Sequence, residues 1–299
     1  MERRAVHKGK VGAILTADWH LREDTPICRK DDFQKSQWTK VDFVRALQKK
    51  YDCPVLHAGD LFVYWKPSPY LLSLIIDHLP ASFYTVYGNH DLPQHNIELA
   101  IKSGVYTLLS AGVVHILQGG HWGEQGLDKW KNGNMVVQQT SIFVGHLGVY
   151  AGREPYPGCV DAPARQLFGM FPGADLILTG HNHKSFVVYN EGRVLVNPGS
   201  LMRQSADQDE DHPRVYLWYP ESNTVEPVFL PIVEDAVSRE HIEQKQERDE
   251  RLGAFILTLG KDWQAAMSFE QNLERFEQTN QVRRSVMEIV YAALEKQRI

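Results

Sequence analysis

Cysteine is scarce in this chain, with Cys28, Cys53 and Cys159 the three examples in 299 residues. Their number is odd and no two form a Cys-x-x-Cys pair. Neither a disulfide framework nor a thiolate metal site is expected, and a reducing, cytoplasmic setting is. Long apolar runs are also lacking. All fall well short of a membrane span, and residues 11–17 meet Asp18 too soon to form a secretory signal, so no membrane role is expected. Nor does charge of one sign dominate. A net charge of −5 gives no basic footprint for nucleic acid over the whole surface. That does not exclude a nuclease, because two divalent cations would add about +4 where a phosphate must sit. Repeats and low-complexity tracts are missing as well. The hydrophobic share of 43% suits one large core, or a large core with a small appendage.

What the chain does contain is a set of short apolar runs that each end in ligand-type residues. Residues 13–17 run into Asp18-Trp19-His20, and residues 54–58 into Gly59-Asp60. Residues 83–87 run into Gly88-Asn89-His90-Asp91, residues 141–144 into Gly145-His146, and residues 175–179 into Gly180-His181-Asn182-His183. Runs of this kind read as buried strands. In an α/β sheet, ligands bind just beyond the carboxyl ends of the strands, so one edge could collect all these groups. Helical spacing is expected over 36–50 and 69–79, a short helix over 97–102, and a strand over 113–117. Asn190-Glu191-Gly192 and residues 220–224 mark hairpins, which makes the sheet mixed.

Two long segments, 118–136 and 148–164, read as loops. They are either surface insertions or a substrate rim whose aromatic and basic residues meet bases and phosphates. Beyond residue 233 the composition shifts to a charged helix over 234–251 and an amphipathic stretch over 268–296. The expected division is therefore 1–233 for a catalytic domain and 234–299 for a helical extension, too short to bury a core alone.

Carboxylates and imidazoles with no thiolate suit Mn²⁺, Fe or Zn²⁺. Taken in order over about residues 11–200, the motifs resemble the calcineurin-like metallophosphoesterase superfamily. The resemblance implies an α/β mixed-sheet sandwich, layered α/β/β/α, with a small helical C-terminal extension. It implies two divalent metal ions, Mn²⁺ first among them. Asp18, His20, Asp60 and His183 would hold one, and Asp60, Asn89, His146 and His181 the other, with Asp60 bridging. It further implies hydrolysis of a phosphodiester by hydroxide, with His90 donating to the leaving oxygen and Asp91 orienting that ring. His57 reads as structural, and no role is assigned to His95.

Asp18-Trp19-His20-Leu21, Gly59-Asp60-Leu61-Phe62 and Gly88-Asn89-His90-Asp91-Leu92-Pro93 are similar to the DNA-repair exonuclease branch, nuclease subunits of the SbcCD type and their phage counterparts. This likeness implies a DNA substrate, with Arg153 and Arg203 beside Lys129 and Lys131 as backbone contacts. It also implies a partner, an ABC-type ATPase engaged through 268–296, or a second copy of the chain. The extension is shorter than the capping region those nucleases usually carry. Two other readings stay open: a phosphodiesterase or phosphatase for small molecules or nucleotides, and a non-catalytic scaffold on the same fold.

Overall fold

The computed structural model describes residues 9–117, 134–137, 140–261, 269–280 and 282–295. Strand β1 (Ala13–Thr16) is followed by α1 (Phe33–Tyr51), β2 (Val55–His57), α2 (Pro69–His78), β3 (Phe83–Thr85), α3 (Gly104–Ser110) and β4 (His115–Ile116). Then come β5 (Asn134–Val137), β6 (Thr140–Leu147), β7 (Val149–Tyr150), β8 (Ala162–Pro163), α4 (Ala164–Met170) and β9 (Leu176–His181). The hairpins are β10 (Phe186–Asn190) with β11 (Arg193–Asn197), and β12 (Arg214–Tyr219) with β13 (Thr224–Phe229).

Local sequence sets the helix ends. The Asp32 carboxylate caps α1 by accepting from Lys35 N, and Lys49 and Lys50 lie in the last turn, where cations meet the negative end of the helix dipole. Ser68 caps α2, and Pro69 follows where a missing N–H costs nothing.

Two mixed sheets form, in the orders β13-β12-β1-β2-β3-β4 and β10-β11-β9-β6-β5. In the first, β1 to β4 run parallel; in the second, β6, β9 and β11 do. Alternation along the strands builds three apolar layers. Ile14 and Val55 face α1 and α2, packing with Val41, Val44, Leu71 and Ile75. Ala13, Leu15 and Leu56 face the other sheet and meet Ile142, Val144, Leu176 and Leu178. Phe143, Ile177 and Leu195 turn outward to cover Leu167 and Phe168 of α4. This is the α/β/β/α sandwich.

Some elements differ from expectation. Residues 97–102 form a 3₁₀ helix, and α3 and α4 had no sequence forecast. Strand β5 occupies the end of the segment read as a loop over 118–136. The candidate rim residues Trp122, Lys129, Trp130 and Lys131 lie outside the described residues.

The chain divides into two compact units, Met1–Ser238 and Arg239–Ile299, a few residues later than the 233/234 boundary expected. Residues 233–238 are held by the first unit: Lys30 N donates to Ala236 O, Ser238 N donates to Cys28 O, and Arg29 bridges Val237. The second unit holds α5 (Glu240–Lys261), α6 (Phe269–Asn280) and α7 (Arg284–Glu295), with Leu273, Phe276, Met287 and Val290 buried together. Among the described residues, no helix is long and apolar enough to cross a membrane.

Candidate metal centre

Strand ends deliver the site. β1 stops two residues before Asp18, β2 three before Asp60 and β3 four before Asn89, while His146 is the penultimate residue of β6 and His181 the last of β9. The chain bends sharply at these points. Asp18, His20, Asp60 and His181 all hold left-handed backbone, at φ 50°, 45°, 58° and 80°. Such conformations are costly for side chains other than glycine and persist where surrounding structure fixes them, often at functional sites. Gly88 shows how tightly the turns meet, since a Cβ there would stand 2.1 Å from Asp60 Oδ1.

The seven residues expected as metal ligands converge. His20 Nε2 lies 3.0 Å from His183 Nε2, and 3.6 Å from Asp60 Oδ2. His146 Nε2 is 3.2 Å from Asp60 Oδ2 and 3.0 Å from Asn89 Oδ1, and His181 Nδ1 is 3.3 Å from the same Asn89 oxygen. Asp18 accepts from His181 N through both oxygens at 3.0 Å. Asp18, His20 and His183 form one grouping able to hold a cation, and Asp60, His146 and His181 another.

The electrostatics fit a cation pair. Burial pushes His20 down to about 3 and His181 down to about 4, so both are neutral imidazoles at neutral pH, the form that binds a cation. Burial also opposes charge on His146, but Asp60 beside it outweighs this and holds the imidazole up at about 9. Burial raises Asp18 to about 7, against the pull of His146. Asp60 is desolvated too, yet His146 keeps it well below the usual carboxylate range. A proton on His146 thus balances the buried carboxylates, and a divalent ion would displace it. His146 Nδ1–H donates to Ala58 O at 2.8 Å, which fixes the ring and leaves Nε2 as the donor atom for a metal.

His90 and Asp91 part company. His90 reaches the site: its N–H donates to Asp60 Oδ1 at 2.8 Å, its Nδ1–H donates to Val63 O at 2.9 Å, and its ring meets that of His20 edge-on. It also groups with His20 and Asp60 as a candidate cation ligand. Asp91 does not orient the His90 ring. Fully buried, it accepts from the N–H groups of Gly88, Asp60, Leu61 and Phe62 at 3.0, 2.9, 3.3 and 3.1 Å. Its carboxylate joins the two turns that carry Asp60 and Asn89.

Neither proposed DNA contact lies in this cluster. Arg203 is 5% exposed and donates to Asp209 O and Val233 O, so it is a buried tie. Arg153 is exposed in the segment between β7 and β8. His57 sits in the core against Trp19 and Phe83, with Nδ1 bonded to Thr85 Oγ1. Sequence reasoning passed over His95, whose Nδ1 lies 3.0 Å from Asn89 O. The signal available was a histidine one short turn beyond the Asn89 motif.

Residues 14–217 match the calcineurin-like phosphoesterase superfamily domain. No curated protein matches the sequence. Among solved structures, an archaeal phosphodiesterase is similar at 14% identity, over 73% of this chain and 99% of that one, with a TM-score of 0.43. Vacuolar protein sorting 29 from Cryptosporidium parvum is similar at 16% identity, over 76% of this chain and 99% of that one, with a TM-score of 0.37. A predicted phosphoesterase from Streptococcus pneumoniae is similar at 15% identity, over 74% and 98%, with a TM-score of 0.35.

Proposed function

Because the chain belongs to the calcineurin-like phosphoesterase superfamily, we propose that it is a two-metal phosphodiesterase whose substrates are small or nucleotide diesters. The observation that carries this reading is the convergence of two donor groupings on Asp60 with His90 anchored beside them. Asp18, His20, Asp60 and His183 would hold one cation, and Asp60, Asn89, His146 and His181 the other. Mn²⁺ suits these donors, as do Fe and Zn²⁺. When bound, two such ions would supply a water activated at neutral pH and a clamp for the phosphate oxygens. Asp60 is the one group set to serve both ions, since its Oδ2 faces His20 of one grouping and His146 of the other. His90 holds its Nδ1–H on Val63 O, so in the imidazolium form the second proton sits on Nε2, from which it would pass to the departing oxygen and leave the ring neutral.

The burial of Arg203 favours a small substrate over a duplex, since one of the cations offered to a DNA backbone is spent inside the protein. A second reading, a DNA exo- or endonuclease subunit, is favoured by the wording of the motifs at 18–21, 59–62 and 88–93. On that reading the exposed Val286, Ile289 and Tyr291 of α7 would meet an ABC-type ATPase or a second copy of the chain.

One assay separates the readings. The protein, stripped of metal and resupplied with Mn²⁺, is given bis(p-nitrophenyl) phosphate, nucleoside 2′,3′-cyclic phosphates and end-labelled linear DNA over a range of salt. Turnover of the small diesters with weak salt dependence, abolished in Asp60→Ala, supports the first reading. Degradation of DNA that falls steeply with salt supports the second. No metal-dependent turnover of any of these would overturn both.

A further inference from the structure

We infer that His95 is a positioning residue of the metal centre, acting on the peptide that joins Asn89 to His90. This rests on the reading of the cluster as a two-metal site. The Asn89 carbonyl and the His90 N–H belong to one planar unit, so holding its two ends fixes its tilt. Asp60 Oδ1 takes the N–H end at 2.8 Å. His95 Nδ1–H takes the oxygen end at 3.0 Å. Leu92 N also points at that oxygen, at a longer 3.4 Å.

This one peptide lies between two groups of the site. The Asn89 side chain places Oδ1 within 3.0 Å of His146 Nε2 and 3.3 Å of His181 Nδ1. Asp60 spends Oδ1 on the His90 N–H and turns Oδ2 toward His146 and His20. If the peptide rotated, Asn89 Oδ1 would swing away from the imidazoles and Asp60 would lose its fixed orientation.

The backbone that delivers His95 is strained in a way a plain turn has no need to be. Gln94 and His95 both lie in the left-handed region, at φ 53° and 54°, and neither is glycine. Consecutive left-handed residues with side chains are disfavoured, and such strain survives where it serves an arrangement fixed from outside. Buried Pro93 sets the entry to this bend. His95 N donates to Leu92 O and Asn96 N to Pro93 O, which closes a tight loop. Glycine at 94 would allow the same reversal without strain. The conformation brings the His95 imidazole back to the Asn89 carbonyl.

Three variants test the inference on metal-stripped protein: His95→Ala, His95→Gln, which keeps an N–H donor on a side chain of similar reach, and Gln94→Gly, which relaxes the bend and keeps the imidazole. Mn²⁺ binding is read by calorimetry, kcat and KM with bis(p-nitrophenyl) phosphate, and folding by circular dichroism. Loss of a partner in the shell around the ligands typically costs about 10–100-fold in metal affinity or activity. The expected result for His95→Ala is therefore about tenfold weaker Mn²⁺ binding and a lower kcat at unchanged KM. His95→Gln should recover most of both, and Gln94→Gly should match the unaltered protein. Folded His95→Ala that binds Mn²⁺ as tightly as the unaltered protein would overturn the inference. So would His95→Gln behaving like alanine while folded, or Gln94→Gly losing as much affinity as His95→Ala. Should the unaltered protein itself bind no Mn²⁺, the reading of the site as a metal centre falls instead.

Discussion

The turn from Gly88 to Asp91 sends two adjacent titratable side chains in opposite directions. His90 goes out beside His20, with its Nδ1–H on Val63 O, and Asp91 goes in, to four backbone N–H groups. The two should fail differently. On the proposed role of His90 as proton donor, His90→Asn should lower kcat about 10²–10⁴-fold, with two Mn²⁺ per chain retained by elemental analysis. Loss of a metal along with activity would make His90 a ligand, as its proximity to His20 and Asp60 permits. Asp91→Asn replaces one accepting oxygen with an NH₂ that faces N–H groups. An unsatisfied buried partner costs about 1–3 kcal/mol, so a lower thermal midpoint is expected by calorimetry. If Asp91 acted by orienting His90, the asparagine variant would keep its midpoint and lose kcat. The sequence could show that both residues belonged to the site. It could not show which way each pointed, because that depends on the backbone of 60–62 crossing under the turn.

At the level of elements, the strand ends were legible because each carries its ligand directly after an apolar run, often through a glycine. Gly59-Asp60 and Gly180-His181 are examples. The short pieces were not. α3 starts on Gly104, a poor helix former, and depends on the Ser103 cap; α4 has seven residues and no side-chain cap. Their helicity comes from packing Leu108 and Leu167 on the sheets, which no local pattern announces. Arg203 illustrates the same limit. A lone arginine after a Pro-Gly-Ser turn reads as a phosphate contact, yet here it ties three segments: it donates to Asp209 O and Val233 O, and its own carbonyl accepts from Arg29 Nη1 at 2.8 Å. Arg203→Leu should therefore destabilise by about 1–3 kcal/mol for each stranded carbonyl, read as a lower urea midpoint. Any loss of activity toward a small diester should track the unfolded fraction. A variant of normal stability that had lost DNA affinity alone would return Arg203 to the role of a backbone contact.

Over the whole catalytic unit, the ionisable groups gathered at and beneath the site, with Asp18, His20, His57, Asp91 and His146 buried, fix how the metal-free protein responds to acid. Burial lowers His20 and His57 to about 3 and His181 to about 4, from an ordinary 6.5, and lowers His183 as well. Below about pH 6.5 the unfolded chain takes up protons that these folded imidazoles refuse, so stability falls as pH drops. Asp18 and Asp91 work the other way. Raised to about 7 from 3.8, they bind protons in the folded state first and offset part of the loss between those values. His146, held up at about 9, supports the fold below that pH and ceases to as pH rises through it. With four imidazoles against two carboxylates, metal-free stability should peak near neutrality and decline toward pH 5. His57 gives the cleanest check, because it belongs to neither metal-ligand grouping. Its Nε2 is buried and has no acceptor among the described residues, so a proton there would strand an N–H in the core. In His57→Asn, the slope of unfolding free energy against pH between 5 and 6, measured by urea titration without metal, should shrink by up to about 1.4 kcal/mol per pH unit, one proton's worth. An unchanged slope would mean that His57 takes up its proton in the folded protein as freely as in the unfolded chain, and that the core around Trp19 and Phe83 admits water.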